Sequence, residues 1–282
     1  MAFGIIAVDK PVGITSFGCI KKLRKRLNIS KIGHCGTLDS FADGLLLVLL
    51  DKATRIAQYI LCQNKEYITT MKFGIKTDTQ DITGNVIETN NSIPKIQDDF
   101  EKRVKEITQQ IPPKFSAIKT NGERSYVLAR KNIDFKMKKR KIKVLDFQIL
   151  EFNFPYLVYK TTVSKGVYIR TLSQDIAELL NTVATTTKLR RTKIENISVD
   201  KAFSIETFTE NNWYDLTIKI EKLLPFFETI DFNDTQAKKV VNGQRIHCDR
   251  KDGKILLFNK DVFFGIGETN NGILSPKTII KD

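Results

Sequence analysis

One carboxylate is singled out by its surroundings. In the stretch KIGHCGTLDSFADGLLLVLL, Lys31 to Leu50, Asp39 sits in a turn bounded by Gly33, Gly36 and Gly44 and followed by the apolar run Leu45 to Leu50. Glycine lets a backbone bend tightly and come close to a ligand, and a short apolar run reads as a buried strand, so the turn is anchored to the core. An ionised carboxylate fixed in this way suits nucleophilic chemistry if a cation keeps it charged in a closed pocket. Followed by Ser40, it equally suits an Asx-turn or a cap. Arg170, in KGVYIRTLSQDIAELL, is costly to bury without a carboxylate partner, although an arginine before a helix also fits the surface. Tyr67 opens a period-two segment, Glu66 to Phe73, where a cross-strand packing role is the ordinary alternative. The cysteines, Cys19, Cys35, Cys62 and Cys248, form no CxxC pair, and with His34 and His247 as the histidines no zinc-ligand spacing exists; no metal site is expected.

The elements that must position these residues follow from periodicity. Residues 3–8 read as a strand ended by the turn Lys10-Pro11-Val12-Gly13. From Ser16, with Thr15 or Ser16 as cap, Phe17, Ile20, Leu23 and Leu27 recur at helical spacing, and Lys21, Lys22, Arg24, Lys25 and Arg26 form a basic opposite face. Asp51 to Leu61 reads as a second helix. Phe100, Val104 and Ile107 mark another, stopped by Pro112-Pro113. Strands are expected near 142–150 and 156–164, a strand ending at about Arg170 before a helix with Ile176, Leu179 and Leu180 on its buried side, and a further strand over Thr187 to Ile194. A helix-and-loop connection spans 203–227. Beyond about Glu228, short apolar runs separated by Asn242-Gly243, Asp252-Gly253 and Asn271-Gly272 carry hairpin signals and predict a small β-barrel.

At 282 residues the chain has room for one large domain and a small one. Its formal net charge of +14 favours a polyanionic partner, because neutralising phosphates releases counterions; a Lys- and Asn-rich codon bias raises total charge too, so clustering carries the case. The cluster lies at Lys114 to Lys143, with eleven Lys or Arg against two acids and with Phe115, Tyr126 and Phe135 interleaved. Basic side chains track phosphates and aromatics can stack on bases, while a solvated charged loop is the plain alternative. No basic region precedes a long apolar one at the N-terminus, and no run reaches the roughly twenty residues of a membrane span. A soluble cytoplasmic protein, off the membrane, is expected.

GHCGTLDSFADGLL resembles the GHxGTLDPxAxG motif of the TruB-type tRNA pseudouridine synthases, with Cys35, Ser40 and Asp43 departing from it. Lys10, Pro11 and Gly13 resemble the family's first motif, NKEYITTMKFGIKTDTQDITG its second, KGVYIR its third, and PPKFSAIKTNGERSYVLAR its mobile tRNA-gripping insertion; the catalytic resemblance covers about residues 3–200. The resemblance implies Asp39 as nucleophile, Tyr67 against the target uracil and moving a proton, and Arg170 paired with Asp39. It implies His34 helping to displace bases, with Tyr168, Leu189 and Lys10 supporting substrate binding. Asp78 and Asp81 match supporting positions but fit turn capping equally.

The expected fold is α+β, a mixed, largely antiparallel central sheet flanked by helices (the pseudouridine synthase fold), with a small PUA-like β-barrel. The expected domains are 1–228, including a basic insertion at about 114–141, and 229–282. The implied activity is isomerisation of a flipped-out uridine 55 in the tRNA TΨC arm, without cofactor or guide RNA, by a monomer. Alternatives are a noncatalytic RNA-binding or RNA-folding protein and a guide-RNA-dependent relative; the short termini and the FADGLL continuation count against the latter.

Overall fold

The computed structural model describes residues 3–120, 122–131 and 133–280. In chain order the main strands of the larger unit are β1 (Gly4–Lys10), β2 (Ile32–Cys35), β3 (Asp43–Leu50), β4 (Lys65–Phe73), β5 (Val144–Asn153), β6 (Tyr156–Val163) and β7 (Ala184–Ile194). They run in the order β1-β3-β7-β4-β6-β5, with β2 also pairing on β3. Every named pair is antiparallel except β3 with β7, which meet through Asp43 opposite Arg190 and Gly44 opposite Arg191.

β3 explains its own sequence. Leu45, Leu47 and Leu49 enter one core with Ile5, Ala53 and Ile56, whereas Leu46, Val48 and Leu50 enter another with Cys19, Leu23 and Trp213. A strand covered on both faces needs apolar side chains at every position, hence a run and not an alternation. Each fully buried Leu or Val contributes about 1.5–3 kcal/mol. β2 and β3 are the arms of a hairpin, so the loop carrying Asp39 hangs from the most deeply buried strand.

Helix α1 (Ser16–Leu27) buries Cys19, Ile20, Leu23 and Leu27, and the Thr15 side chain accepts the Gly18 N–H at 2.9 Å. Lys21, Lys22, Arg24, Lys25 and Arg26 are exposed, and the last three complement the helix dipole. Phe17, expected on the apolar face, is 67% exposed because the buried stripe needs only the other four positions. Asp51 to Leu61 divides into a 3-10 turn, Asp51–Ile56, and a short α-helix, Ala57–Leu61.

Arg170 corrects the expectation of a strand end. β6 stops at Val163, Gly166 turns the chain with φ +85°, Tyr168 caps helix α2 (Ile169–Glu178), and Arg170 lies in its first turn. The basic insertion leaves and re-enters through a two-stranded neck in which Gln110 and Gln109 pair with Arg140 and Lys141. It contains a short helix, Ser125–Arg130, and a small hairpin. Residues 203–227 are mostly turns, with a short helix at Ile220–Leu223.

The C-terminal unit contains β8 (Glu228–Phe232), α3 (Asp234–Val241), β9 (Gly253–Asn259), β10 (Val262–Asn270) and β11 (Ile273–Ile279). It is an open five-stranded sheet ordered β8-β9-β10-β11 with Ile246–His247 on the far edge, not a closed barrel. Asn271-Gly272, both at positive φ, does form a hairpin turn. Asn242-Gly243 instead ends α3, which starts at a capping box between Asn233 and Gln236. The β9–β10 turn falls at Lys260-Asp261. One face of this sheet packs on α3 through Phe232, Val240, Ile255 and Leu257; the other sends Leu256, Phe258, Phe263 and Ile266 into the core shared with Ile5 and Ile56. No described helix is long and apolar enough to cross a membrane.

Candidate active site

The Asp39 turn is fixed from several sides. Gly36 and Gly44 adopt φ of +90° and +102°, and a Cβ on Gly44 would lie 2.4 Å from the Arg191 carbonyl oxygen, so β7 approaches β3 closely only because residue 44 is glycine. Arg191, buried, donates from Nε to the Leu45 carbonyl at 2.7 Å and from Nη2 to that of Gly36 at 3.1 Å. The buried Ser16 hydroxyl donates to the Leu38 carbonyl at 3.0 Å and accepts the Leu38 N–H at 2.8 Å, holding the residue before Asp39. Lys10 Nζ donates to the carbonyls of Pro11, Ile14 and Ala42. An ammonium has three donors, and all three are used to lace the first turn to the Asp39 loop.

Arg170 reaches this turn from α2. Its Nε and Nη2 approach Asp39 Oδ2 and Oδ1 at 2.8 and 3.2 Å, a two-point grip. The remaining N–H groups meet the Phe115 carbonyl at 3.0 Å, the Thr79 carbonyl at 2.7 Å and Asp81 Oδ2 at 3.3 Å. Three hydrogen bonds and two further ion-pair contacts thus converge on the guanidinium. The guanidinium is 5% exposed and the Asp39 side chain 37%, so the carboxylate is the member of the pair that is open to a ligand. Burial pushes the Asp39 carboxyl above its usual range; Arg170 pulls it down, and Asp81 adds to the rise. Asp81 also accepts from Thr79 and from the backbone and hydroxyl of Thr83, so it forms its own turn and feeds the cation at once. Thr171 donates to Gln80 and Gln80 to Gln174, tying that turn to α2.

The walls come from the sheet. Tyr67 and Leu189 are buried in one apolar cluster with Leu38 and Ala42, near Asp39 in sequence, and with Ile169, beside Arg170 on α2. Tyr168 lies close enough to feel the charges of Arg170 and Asp39; burial raises its phenol above the usual value, against a hydrogen bond from Ser116. His34 stands on β2 with its Nδ1 buried and unpaired, and burial, with Arg191 nearby, depresses its pKa. Burial and the same arginine lower Lys65 to about 8. Arg190 pairs with Asp9 and Asp43, each at 2.7 Å, which neutralises the acid that departs from the expected motif.

The structure therefore brings Asp39, Arg170 and Tyr168 together, sets Tyr67 and Leu189 in the adjoining wall, and places His34 near Arg191. Lys10 sits behind the turn with no donor left over. Local sequence offers Ser16 only as a helix cap, and nothing in it marks Gln110 or the loop-holding role of Arg191. In the insertion, Phe135 is buried beneath Lys114 and Tyr126 packs under Arg130, each cation 5.6 Å from the ring, so both aromatics are engaged by the insertion's own charges. Lys136, Lys138, Lys139 and Arg140 are exposed. A cavity of about 1200 Å³ lies between the two sheets and shares no residue with this cluster.

Comparison with known proteins matches residues 24–169 to the TruB family pseudouridylate synthase N-terminal domain and residues 229–280 to the pseudouridine synthase II TruB C-terminal domain. The chain is 35% identical to tRNA pseudouridine synthase B of Clostridium tetani over 98% of its own length and 99% of that protein's. It is 39% identical to the tRNA pseudouridine synthase B of Caldicellulosiruptor saccharolyticus over 92% and 88%, respectively. A chain of an H/ACA ribonucleoprotein bound to a substrate RNA containing 2'-deoxyuridine shares the fold, with a TM-score of 0.71 at 21% identity over 99% of this chain and 85% of that one.

Proposed function

This chain belongs to the TruB family of pseudouridylate synthases, and from that premise we propose that it isomerises uridine 55 in the TΨC arm of tRNA to pseudouridine, with Asp39 as nucleophile. The observation that carries the reading is the two-point Asp39–Arg170 pair, cation buried and carboxylate open. Isomerisation breaks the bond from N1 to the ribose C1′ and makes one from C5 to C1′. The C5 proton leaves and N1 gains one, so atoms and electrons balance without redox chemistry or a cofactor. An ionised Asp39 engages the sugar or the uracil ring, Arg170 keeps it charged and aimed, and Tyr67 lines the base and moves the C5 proton. Leu189 and Tyr168 exclude water from the reacting face. His34 displaces bases of the RNA loop, and Lys10 acts by holding the turn.

A uridine inside a folded arm must be flipped out, at a cost of a few kcal/mol, which demands an extensive grip. In this reading the insertion supplies it through Lys138, Lys139 and Arg140. The C-terminal sheet acts as a PUA-like RNA-binding unit that exposes Lys238, Lys239, Arg245, Arg250 and Lys251. The chain works alone, without a guide RNA. A noncatalytic RNA binder has no use for a buried cation that holds one partly open carboxylate at two points while its other contacts fix it in place, which favours the enzyme. The test is incubation of the purified protein with unmodified tRNA labelled with tritium at uracil C5. Release of the label at one site supports the reading, and binding without release refutes it.

A further inference from the structure

Gln110 occupies an unusual junction. Its backbone pairs with Arg140 in the neck of the insertion, and the Ile142 N–H donates to the Thr108 carbonyl at 2.9 Å just below. Its side chain is 3% exposed and leaves the neck for the start of α2. There the Tyr168 N–H, which can only donate, meets Gln110 Oε1 at 2.8 Å, which fixes the amide so that Nε2 donates to Asp175 Oδ2 at 3.0 Å. Both ends of one amide are thus committed, one to the cap of α2 and one to the helix about two turns later. The insertion touches the same helix again, through the Phe115 carbonyl, which accepts from Arg170. Burial pushes the Asp175 carboxyl up to about 6, against the bond from Gln110.

We propose that Gln110 is a positioning residue that couples the basic insertion to the helix carrying Tyr168 and Arg170, so that RNA held by the insertion sets the aim of Asp39. The inference rests on the isomerase reading above. A helix fixed at its cap by the neck moves with the neck, and a small displacement of Arg170 turns the carboxylate it grips at two points. An insertion not engaged by RNA then leaves the pair less well aimed, and the reaction discriminates among RNAs at the chemical step as well as in binding.

The test exploits the polarity of the amide. Gln110→Glu keeps an acceptor for the Tyr168 N–H but sets a carboxylate against Asp175. Adding Asp175→Asn restores one donor facing one acceptor with the direction reversed. Single-turnover rate at saturating labelled tRNA and the Kd for that tRNA are measured separately, with a melting curve for each protein. Coupling predicts that Gln110→Glu loses at least about tenfold in rate with Kd within about threefold, and that the double variant recovers to within about threefold of wild type. A Gln110→Glu rate within about twofold of wild type, or a loss confined to Kd, overturns the coupling. Should Gln110→Glu not fold, the double variant decides alone, and a folded but slow double variant overturns the coupling too. No label release by the wild-type chain is failure of the isomerase reading itself, whereas an active wild type with an unaffected variant sinks the coupling only.

Discussion

Arg170 makes three hydrogen bonds and two further ion-pair contacts, and two of these five are to one carboxylate. Lysine offers a point charge on a flexible stem and cannot reproduce that fork. Arg170→Lys is therefore expected to lose at least about a hundredfold in single-turnover rate, since misaiming a nucleophile by roughly an ångström costs that much; a near wild-type rate would show the arginine to be a general electrostatic or folding residue. The pH dependence follows from the same pair. In the proposed reaction Asp39 acts ionised; burial raises its pKa, and Arg170 opposes the rise. In Arg170→Met the opposition is gone, the pKa climbs further, and at a given pH less carboxylate is present. The residual rate of Arg170→Met should rise with pH across a range where wild type is flat, and parallel profiles count against the assignment. Asp39→Asn should abolish C5 label release while tRNA affinity stays within about threefold, because phosphate contacts dominate such interfaces; turnover above background would assign the chemistry elsewhere.

The elements act on Asp39 through backbone more than through side chains. Ser16 begins α1, yet its hydroxyl spends both its donor and an acceptor on Leu38. Ser16→Ala should leave a buried N–H and C=O unsatisfied and lower stability in urea titration by about 1–3 kcal/mol. The rate should fall as well, since the residue before the nucleophile is loosened; unchanged stability with unchanged rate would mean that water or a shifted loop replaces the hydroxyl. The parallel meeting of β3 and β7 depends on Gly44, whose missing Cβ admits the Arg191 backbone. Arg191 then holds both ends of the loop, at Gly36 and Leu45. The Asp39 loop is on this plan held from several sides although it is not regular secondary structure.

At the scale of the molecule, exposed basic charge is spread over the insertion and the C-terminal unit, while the Asp39–Arg170 pair is a single, largely buried contact. Neutralising Lys138, Lys139 and Arg140 together should weaken tRNA binding and flatten the slope of log affinity against log salt by about two to three units. An unchanged slope would mark the run as merely solvated. The C-terminal sheet is not a loosely tethered module: Leu256, Phe258, Phe263 and Ile266 complete the core that contains Ile5, Leu47 and Ile56. The surface it presents is consequently held at a fixed distance from β3 and from the Asp39 hairpin.

The sequence by itself determined the residues whose setting is local. Glycines around Asp39, the apolar run after it, the basic face of α1 and the charge of the insertion are all legible within about twenty positions, because turn chemistry and periodicity are short-range. It also carried the family motifs that single out Tyr67 and Arg170. Tertiary structure alone decided the rest. Arg170 and Asp39 are 131 positions apart, and no local pattern reports that the arginine opens a helix, that Asp81 and the Phe115 carbonyl share it, or that Lys10 has no donor to spare. Phe135 and Tyr126 read as stacking platforms until packing placed cations over them. The Asn242-Gly243 pair read as a hairpin because the same dipeptide also ends helices, and only the hydrogen bonds it joins distinguish the two. Buried polar pairing is a long-range choice made by the folded core, which is why Gln110 and Ser16 carry no signature of their own in the chain.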